Sequence, residues 1–580
     1  MDLSYFKKSL ADSLYNAMPE AGLSLPEVLS LIEIPPEQRL GDFAFPCFKL
    51  AKALKKAPPV IAADMATRVQ APKGFRVTAT GPYINFFLDY SSVTPDLFKA
   101  VADSSLFRPQ SEQKLPRTMI EFSQPNTHKA FHVGHCRNVA LGDALVRMNR
   151  YMGYDVVAAN YIGDEGAHIA KCLWYYTKYA SDQKPVGDKG EWLGGLYSAA
   201  TMKLEDASED EKKIYQKEIS EILKKMELRE PVISKIWDET KKWSMDSFYG
   251  VYDWLGVKFD HYFFESEVTD AAKEIVDDGL KRGVFSISDG AVGIDFNDIG
   301  LGFAMVRKSD GTLLYSTRDL ALARKKFKDF NVERSIYVVA SEQELHFKQV
   351  FKMLERLGFK QVANCYHLSY GLVMIPEGKM SSRKGTVIYF SSLKDKILTQ
   401  IKEVAFKEID TSDWSPQEIE DTARKIAVAA IRYGMIASDP KKTIVFDMDK
   451  WLSFTGDTGP YLLYTYVRMK AILRKAGFNP AHAVNYDTTI FNGDSEKSLV
   501  KRVMSLNEAV QRSVLDNSPV PLAGYLFDFC QDFNSFYAHT SILKQEDPRK
   551  KNAYLHLISA TAEVLKAGCA LLGIEMPERM

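Results

Sequence analysis

Between Thr118 and Ala159 the chain runs apolar strand, polar turn, amphipathic helix and second apolar strand, an order that leaves few ways to fold. Thr118-Met-Ile-Glu-Phe122 is a short apolar run that ends at the Pro125-Asn126 turn. Val139, Leu141, Ala144, Leu145 and Met148 then recur near helical spacing until Gly153, and Asp155-Val-Val-Ala-Ala159 opens the next run. Two strands joined by one helix of this length read as a right-handed crossover between parallel neighbours. A parallel sheet covered by helices is therefore the predicted core.

The turn before the helix carries His132-Val-Gly-His135. Unpaired backbone N–H groups and the positive end of the helix dipole attract phosphate there, and two imidazoles can add hydrogen bonds to a polyphosphate. Gly134, with no side chain, lets a nucleobase lie against the backbone. Alone, the tetrapeptide reads equally well as two surface histidines at a helix start. Downstream, Gly378-Lys-Met-Ser-Ser-Arg-Lys-Gly385 sets three cations and two hydroxyls between two glycines. The glycines permit unusual backbone angles, so the segment can fold over phosphates and meet the charge that develops as pyrophosphate leaves. Alone it is also what a solvated basic loop looks like; the two motifs in this order make the signal specific.

A histidine–glycine–histidine turn followed by a Lys-Met-Ser loop resembles the signature pair of class I aminoacyl-tRNA synthetases. Further segments are similar to the arginyl members in particular: Ser123-Gln-Pro-Asn126, Tyr161-Ile-Gly-Asp-Glu-Gly166, Leu314-Tyr-Ser-Thr-Arg-Asp319, Asp457-Thr-Gly-Pro-Tyr461, Phe533-Asn-Ser-Phe-Tyr537 and the terminal Leu572-Gly-Ile-Glu-Met-Pro-Glu-Arg-Met580. The likeness runs from about residue 40 to the end. It implies an α/β multidomain fold: a Rossmann-like parallel-sheet catalytic domain with a helical insertion, a small α+β N-terminal domain and an all-α C-terminal bundle. The activity implied is arginine–tRNA ligation.

Composition allows this without pointing to it. A chain of 580 residues holds several domains. Hydrophobic residues at 46% and charged residues at 26% are ordinary for a soluble protein. No apolar run is long enough to span a bilayer, and Met1-Asp-Leu-Ser-Tyr-Phe-Lys-Lys8 resembles neither a signal nor a transit peptide. A cytoplasmic enzyme without membrane contact is expected. The 6 cysteines are scattered, so neither a structural metal nor a disulfide framework is predicted. The net charge of zero gives no hint of nucleic acid, which is recognised by clustering rather than by totals.

Residues 1–110 read as a first module. Pro58 and Pro59 punctuate a helical pattern there, and Gly81-Pro-Tyr-Ile-Asn-Phe-Phe-Leu88 runs from turn into strand. The resemblance implies contact with the elbow of tRNA, by Asn85 hydrogen bonding and Phe87 stacking. A buried aromatic strand accounts for Phe86 and Phe87 equally well. Residues 111–410 read as the nucleotide module, interrupted over about 183–258 by a charged helical insertion. Residues 411–580 turn helical, with helices predicted over 423–438, 461–476, 499–515, 522–537 and 554–572. In the family this bundle reads the anticodon, for which Tyr461, Tyr464, Tyr466, Phe533 and Tyr537 are available; most aromatics at helical spacing are core.

Arginine as substrate carries a planar, permanently charged guanidinium that forked carboxylates meet best. Tyr315 and Asp319 lie four apart at a helix start and match the family pattern. Glu121, at the end of the first strand, is a second carboxylate. By resemblance, Asn126 and Gln343 hold the α-amino and α-carboxylate groups. His132, Gly134, His135, Lys379, Met380, Ser381 and Ser382 bind ATP, which enters with Mg2+. The partners implied are L-arginine, ATP and tRNA(Arg), with a monomer expected. One departure is costly: the usual loop has a second lysine where this chain has Ser382. Lys129, just ahead of the histidine motif, is the replacement expected, with Arg383 or Lys384 next. His132, His135, Lys379 and Lys129 are thus the expected catalytic set.

Three other readings share parts of this pattern. A synthetase for a neutral amino acid leaves Asp319 desolvated and unpaired. A binding-only paralogue has no use for both histidines, Gly134 and Lys379. A small nucleotidylyltransferase needs neither terminal module.

Overall fold

The computed structural model describes residues 2–108, 114–376, 378, 387–404, 406, 411–480 and 485–580. Five parallel strands lie side by side in the order Cys365–Tyr370, Arg334–Ala340, Thr118–Glu121, Val156–Ile162, His261–Phe264. The chain enters at the centre, with Thr118–Glu121, moves outward to His261–Phe264, then returns to the opposite side of the first strand. The order therefore reverses between Thr118–Glu121 and Arg334–Ala340. At such a reversal the connections leave over opposite faces and open a crevice beyond the carboxyl ends of the strands. Met119, Ile120, Ile336 and Val338 are wholly buried, as expected of strands covered on both faces.

The expected crossover is present. Helix Val133–Tyr151 follows the first strand and packs on it closely at Gly142, where an added Cβ would stand 2.1 Å from the Phe122 ring. No larger residue lets this helix lie so near the sheet, so the position of the histidine turn at its start depends on that glycine.

Around this core sit the other layers. The N-terminal module pairs Tyr83–Leu88 between Phe43–Pro46 and Phe75–Thr80 in an antiparallel sheet, with helices Leu3–Ala17, Pro58–Arg68 and Tyr90–Ala102. Pro58 opens a helix there rather than ending one, since its missing N–H costs nothing in the first turn. The helical insertion consists of Lys189–Asp206, Glu209–Glu227 and Pro231–Leu255, packed against Ala167–Tyr179. A small antiparallel sheet, Ser286–Ser288, Ala291–Phe296 and Gly302–Arg307, has no counterpart in the sequence reading. The C-terminal bundle holds Pro416–Ile436, Gly459–Lys475, Asp494–Leu515, Val520–His539 and Pro548–Leu571, close to the five predicted helices. Among the described residues no helix is long and apolar enough to cross a membrane, and no cluster of metal-ligating side chains occurs.

Candidate active site

The histidine turn sits where the crevice opens. His132 is the N-cap of its helix: its Nδ1 accepts from Gly134 N–H at 3.1 Å, and His135 Nδ1 accepts from His132 N–H at 3.1 Å. The rings stand 3.8 Å apart. Burial, reinforced by the nearby Lys129 charge, pushes His132 down to about 4. Burial, His132 and Lys129 hold His135 well below its usual value. Both imidazoles are therefore neutral at pH 7. With Nδ1 engaged as acceptor on each ring, the proton belongs on Nε2. The turn thus presents two neutral N–H donors beside a helix N-terminus, which is what a polyphosphate needs.

The segment joining strand to helix is conformationally unusual. Ser123, Gln124 and His128 all have positive φ, a cost that persists only where surrounding contacts fix it. Those contacts are present. Ser123 N–H donates to Asn138 Oδ1 at 2.6 Å, and Asn138 Nδ2 donates to Gln124 Oε1, Val338 O and Tyr370 OH. His128 lies buried between Thr127 and Thr240, pushed down to about 3 by burial, and is a neutral internal brace. Asn126 bridges to Gly163 beyond the neighbouring strand. Backbone bonds Val133 N–H to Ile388 O and Phe390 N–H to Phe131 O, both 3.0 Å, pin the segment after the cationic loop onto the histidine turn. Lys379, Met380, Ser381 and Ser382, with Arg383 and Lys384, lie outside the described residues.

Carboxylates gather at the strand ends on the far side of the crevice. Asp319, on the helix Tyr315–Phe330, accepts from His346 Nε2 at 2.5 Å. Asp164 pairs with Lys241 at 2.6 Å, and Glu165 pairs with Arg318 at 3.3 Å. Glu265 is different. Burial, opposed by Arg318 and reinforced by Asp319, Asp164 and Glu165, pushes its carboxyl up to about 8. Among the described residues Glu265 Oε2, Tyr161 OH and His168 Nε2 are buried without a hydrogen-bond partner. Tyr315 is 51% exposed, and its hydroxyl lies 3.5 Å from His168 Nδ1. The cluster is rich in acid and short of cations, the environment a guanidinium requires.

Glu121 stands at the end of the central strand Thr118–Glu121. It is buried and ion-paired with Lys326, itself wholly buried, while its Oε1 accepts from Gln124 Nε2 at 3.1 Å. Inside the sheet its charge is balanced by the Lys326 ammonium. Glu265 is a further carboxyl group of this cluster, and the sequence reading did not single it out. The available signal was its position directly after the strand His261–Phe264, at the carboxyl end where ligands bind. His346 and His168 were missed for the same reason, although both lie within or beside motifs already singled out. Gln343 stands exposed just beyond Arg334–Ala340, across the crevice from Asn126.

The aromatic candidates for RNA divide sharply. Phe533 and Tyr466 are wholly buried, and Phe533 stacks on Tyr537 within the bundle, so neither presents a ring face to RNA. Tyr461 is half-buried, with its hydroxyl accepting from Asn534 at 2.9 Å. Tyr464 is exposed beneath Arg468, 4.7 Å from its ring centre. In the first module Asn85 is 2% exposed; Phe87 is half-buried, with the Arg76 guanidinium 4.3 Å above it.

The sequence model of "tRNA synthetases class I (R), catalytic domain" matches residues 97–448. "DALR anticodon binding domain" matches 462–580, and "Arginyl tRNA synthetase N terminal domain" matches 4–88. The chain is 40% identical over 572 residues to a protein of Bdellovibrio bacteriovorus named arginine–tRNA ligase, covering 98% of each. It is 34% identical to the Clostridium perfringens protein of the same name, over 99% of this chain and 100% of that one. Its fold is similar to that of Thermus thermophilus arginyl-tRNA synthetase, with a TM-score of 0.78 at 24% identity over 99% and 100% of the two chains. With a parallel sheet whose strand order reverses beside the histidine turn, and with three family models in order along it, the chain belongs to the arginyl-tRNA synthetases of class I.

Proposed function

We infer that the protein is an arginine–tRNA ligase, activating L-arginine with ATP and passing it to the 3′ end of tRNA(Arg) with release of AMP and pyrophosphate. The observation that carries this is the unpartnered carboxyl of Glu265, buried near Asp319 just beyond the carboxyl end of a strand in the sheet that carries the histidine turn. A guanidinium has five N–H donors in a planar fork. Asp319 and Glu265 receive two sides of that fork, and Tyr161 OH and Tyr315 OH complete it. Asn126 and Gln343 hold the α-amino and α-carboxylate groups without neutralising the oxygen that attacks.

The arginine carboxylate is already ionised, so no general base is required. It attacks the α-phosphorus in line, the bond to the β,γ-pyrophosphate breaks, and arginyl-adenylate forms. Rate enhancement then comes from positioning and charge neutralisation. His132 and His135 hold phosphate oxygens, Gly134 faces adenine, and Lys379, Met380, Ser381 and Ser382 serve the leaving group. Mg2+ arriving with ATP supplies further neutralisation. Lys129, beside the two histidines, supplies the cation absent at Ser382. A terminal ribose hydroxyl of tRNA then takes the arginyl group. Exposed Tyr464, with the half-buried Tyr461 and Arg468, is the bundle's contact for the anticodon loop, and Phe87 with Arg76 is that of the first module for the elbow.

Arginine-dependent ATP–pyrophosphate exchange, with and without cognate tRNA and with lysine as comparator, tests this reading. Exchange with arginine and a rate lower by ~10⁴ with lysine is expected, because an ammonium leaves buried carboxylates unpaired. Silence with arginine in a folded protein would sink the assignment. Lys129→Ala is expected to lower exchange by ~10² or more; a near-wild-type rate transfers the role to Arg383 or Lys384.

A further inference from the structure

The helical insertion contributes more than a covering layer to the crevice. Helix Lys189–Asp206 approaches the histidine motif so closely that a Cβ added at Gly194 would stand 2.5 Å from Ala130 N. That contact brings Tyr197, three residues on, against the preceding Lys129, whose Nζ lies 5.2 Å from the ring centre. A second cation uses the same ring: Lys171 Nζ lies 3.9 Å from its centre. Lys171 follows His168 by three residues on helix Ala167–Tyr179, so both project from one face. Its ammonium also donates to Thr201 Oγ1 at 2.6 Å, one turn beyond Tyr197. Two helices of different segments thus fix both lysines and the ring between them.

The charges are uncompensated at short range. Among the described residues neither Lys129 nor Lys171 is ion-paired with a carboxylate, although other lysines of this region are, as in Lys178–Glu218 at 2.7 Å and Lys241–Asp164 at 2.6 Å. Glu205 adds a coulombic attraction that favours the charged form of Lys171. Behind the pair lies His168, 9% exposed, with Nε2 unpartnered; burial, then Lys129, push it down to about 3. Two ammonium groups held on one tyrosine ring offer an anion attraction from both.

We propose that Lys171 and Tyr197, with Lys129 opposite, form a phosphate platform that seats the terminal phosphodiester of the tRNA 3′ end. The proposal rests on the arginine–tRNA reading and adds a subsite to it. Lys129 acts on both histidines and Tyr197 on Tyr315, so the platform adjoins both groups, beside which the accepting ribose must arrive. The phosphodiester nearest the reacting hydroxyl is one ribose away from it. Cations interleaved with an aromatic ring are how unpaired strands are held without base readout. An ATP phosphate is the other source of the same chemistry, and it is already served by His132, His135 and Lys129; Lys171, unlike Lys129, is not among the charges acting on either histidine.

The test compares binding of intact tRNA(Arg) and tRNA(Arg) lacking its 3′-terminal adenosine, to wild type, Lys171→Gln, Lys171→Arg and Tyr197→Leu, with Michaelis constants for ATP measured alongside. Expected is a ~10-fold loss of intact-tRNA affinity in Lys171→Gln, less than ~2-fold loss with the shortened tRNA, and recovery in Lys171→Arg, as a charge-assisted contact to one phosphate would give. Equal losses with both tRNAs, or none, overturn the platform. A raised KM for ATP with tRNA binding intact assigns the site to nucleotide phosphate and equally overturns it. Wild type that charges arginine yet does not distinguish the two tRNAs defeats this proposal alone; wild type that never charges arginine defeats the parent reading.

Discussion

His346 Nε2 stands 2.5 Å from Asp319 Oδ2, tying the first turn of helix Glu344–Arg356 to the helix that begins at Tyr315. One helix follows the switch-point strand Arg334–Ala340 and the other precedes it, so the bond sets the spacing of the two walls. It also fixes which carboxylate oxygen remains for substrate. His346→Ala removes that orientation while leaving Asp319 in place. The expected result is a KM for arginine raised ~10-fold with kcat changed much less, since a hydrogen bond to a charged group contributes about 1.5–3 kcal/mol. Unchanged steady-state kinetics would show that Asp319 is oriented without it.

Glu265 predicts a pH dependence of definite sign. Its carboxyl is raised from 4.5 to about 8, chiefly by burial, so it is largely protonated at pH 7 in the free protein and ionised in the unfolded chain. A guanidinium favours the ionised form, and arginine binding below the raised value must expel a proton. KM for arginine should fall as pH rises from about 6 to about 8.5, with proton release at pH 7 visible by calorimetry in buffers of different ionisation enthalpy. Glu265→Gln should abolish the release. The same shift makes this group's contribution to stability decline as pH rises from 4.5 towards 8, because the folded state then binds more protons than the unfolded. Thermal stabilisation by arginine should accordingly be greater at the alkaline end.

The two nitrogens of His132 do different work, and substitutions separate them. Asn keeps an acceptor near the Nδ1 position and is a good N-cap, but it cannot reach as Nε2 does. His132→Asn is expected to keep thermal stability near wild type while lowering pyrophosphate exchange ~10²–10³-fold, the usual loss of one preorganised donor. His132→Ala should lose the same activity and about 1 kcal/mol of stability besides. Because burial pushes His132 down to about 4 and holds His135 well below its usual value, KM for ATP should stay flat between about pH 6 and 8. A step near 6.5 would mean that one of them is a cation in the working enzyme.

What could be read from residues alone was whatever repeats locally. The strands around Thr118 and Val156 announce themselves because burial on both faces writes unbroken apolar runs, and the five long helices of the bundle write a 3.6-residue period. The small sheet from Ser286 to Arg307 does neither: Ser286–Ser288 is exposed throughout, so no alternation marks it. Glu121 and Lys326 find each other across two separate elements of the sheet layer, and nothing near either in sequence shows the pairing. Tyr464 at 41% exposure and Phe533 at none are both aromatics at helical spacing; which face of a bundle helix meets its neighbours is settled by tertiary packing, not by composition. The histidine and cationic-loop motifs were legible because their chemistry is contiguous, whereas the amino-acid pocket is assembled from separate strand ends.

Arg137 carries the last prediction, on the joint between the catalytic core and the helical bundle. It lies on the histidine-motif helix, wholly buried, and is pushed down to about 10 by burial, so it remains a cation at neutral pH. Nη1 donates to Gly371 O and Lys442 O at 2.7 Å and to Leu372 O at 3.3 Å; Nη2 donates to Pro440 O at 3.1 Å and Asp439 O at 3.4 Å. The charge is therefore met by carbonyl dipoles from two segments, one leaving the outer strand and one following the bundle's first helix. Gly371 N–H donates in turn to Pro440 O at 2.8 Å, and Val373 pairs with Ile444, so Arg137 closes a joint the backbone has already brought together. Arg137→Met keeps the volume and removes every donor. Stranding several buried carbonyls should cost about 3 kcal/mol or more, read as an earlier first transition in urea. Arg137→Lys, with three donors on a flexible stem in place of a planar fork, should recover part of that loss and not all. Equal stability of wild type and Arg137→Met would mean that the strand pairing at Val373 and Ile444 holds the joint unaided.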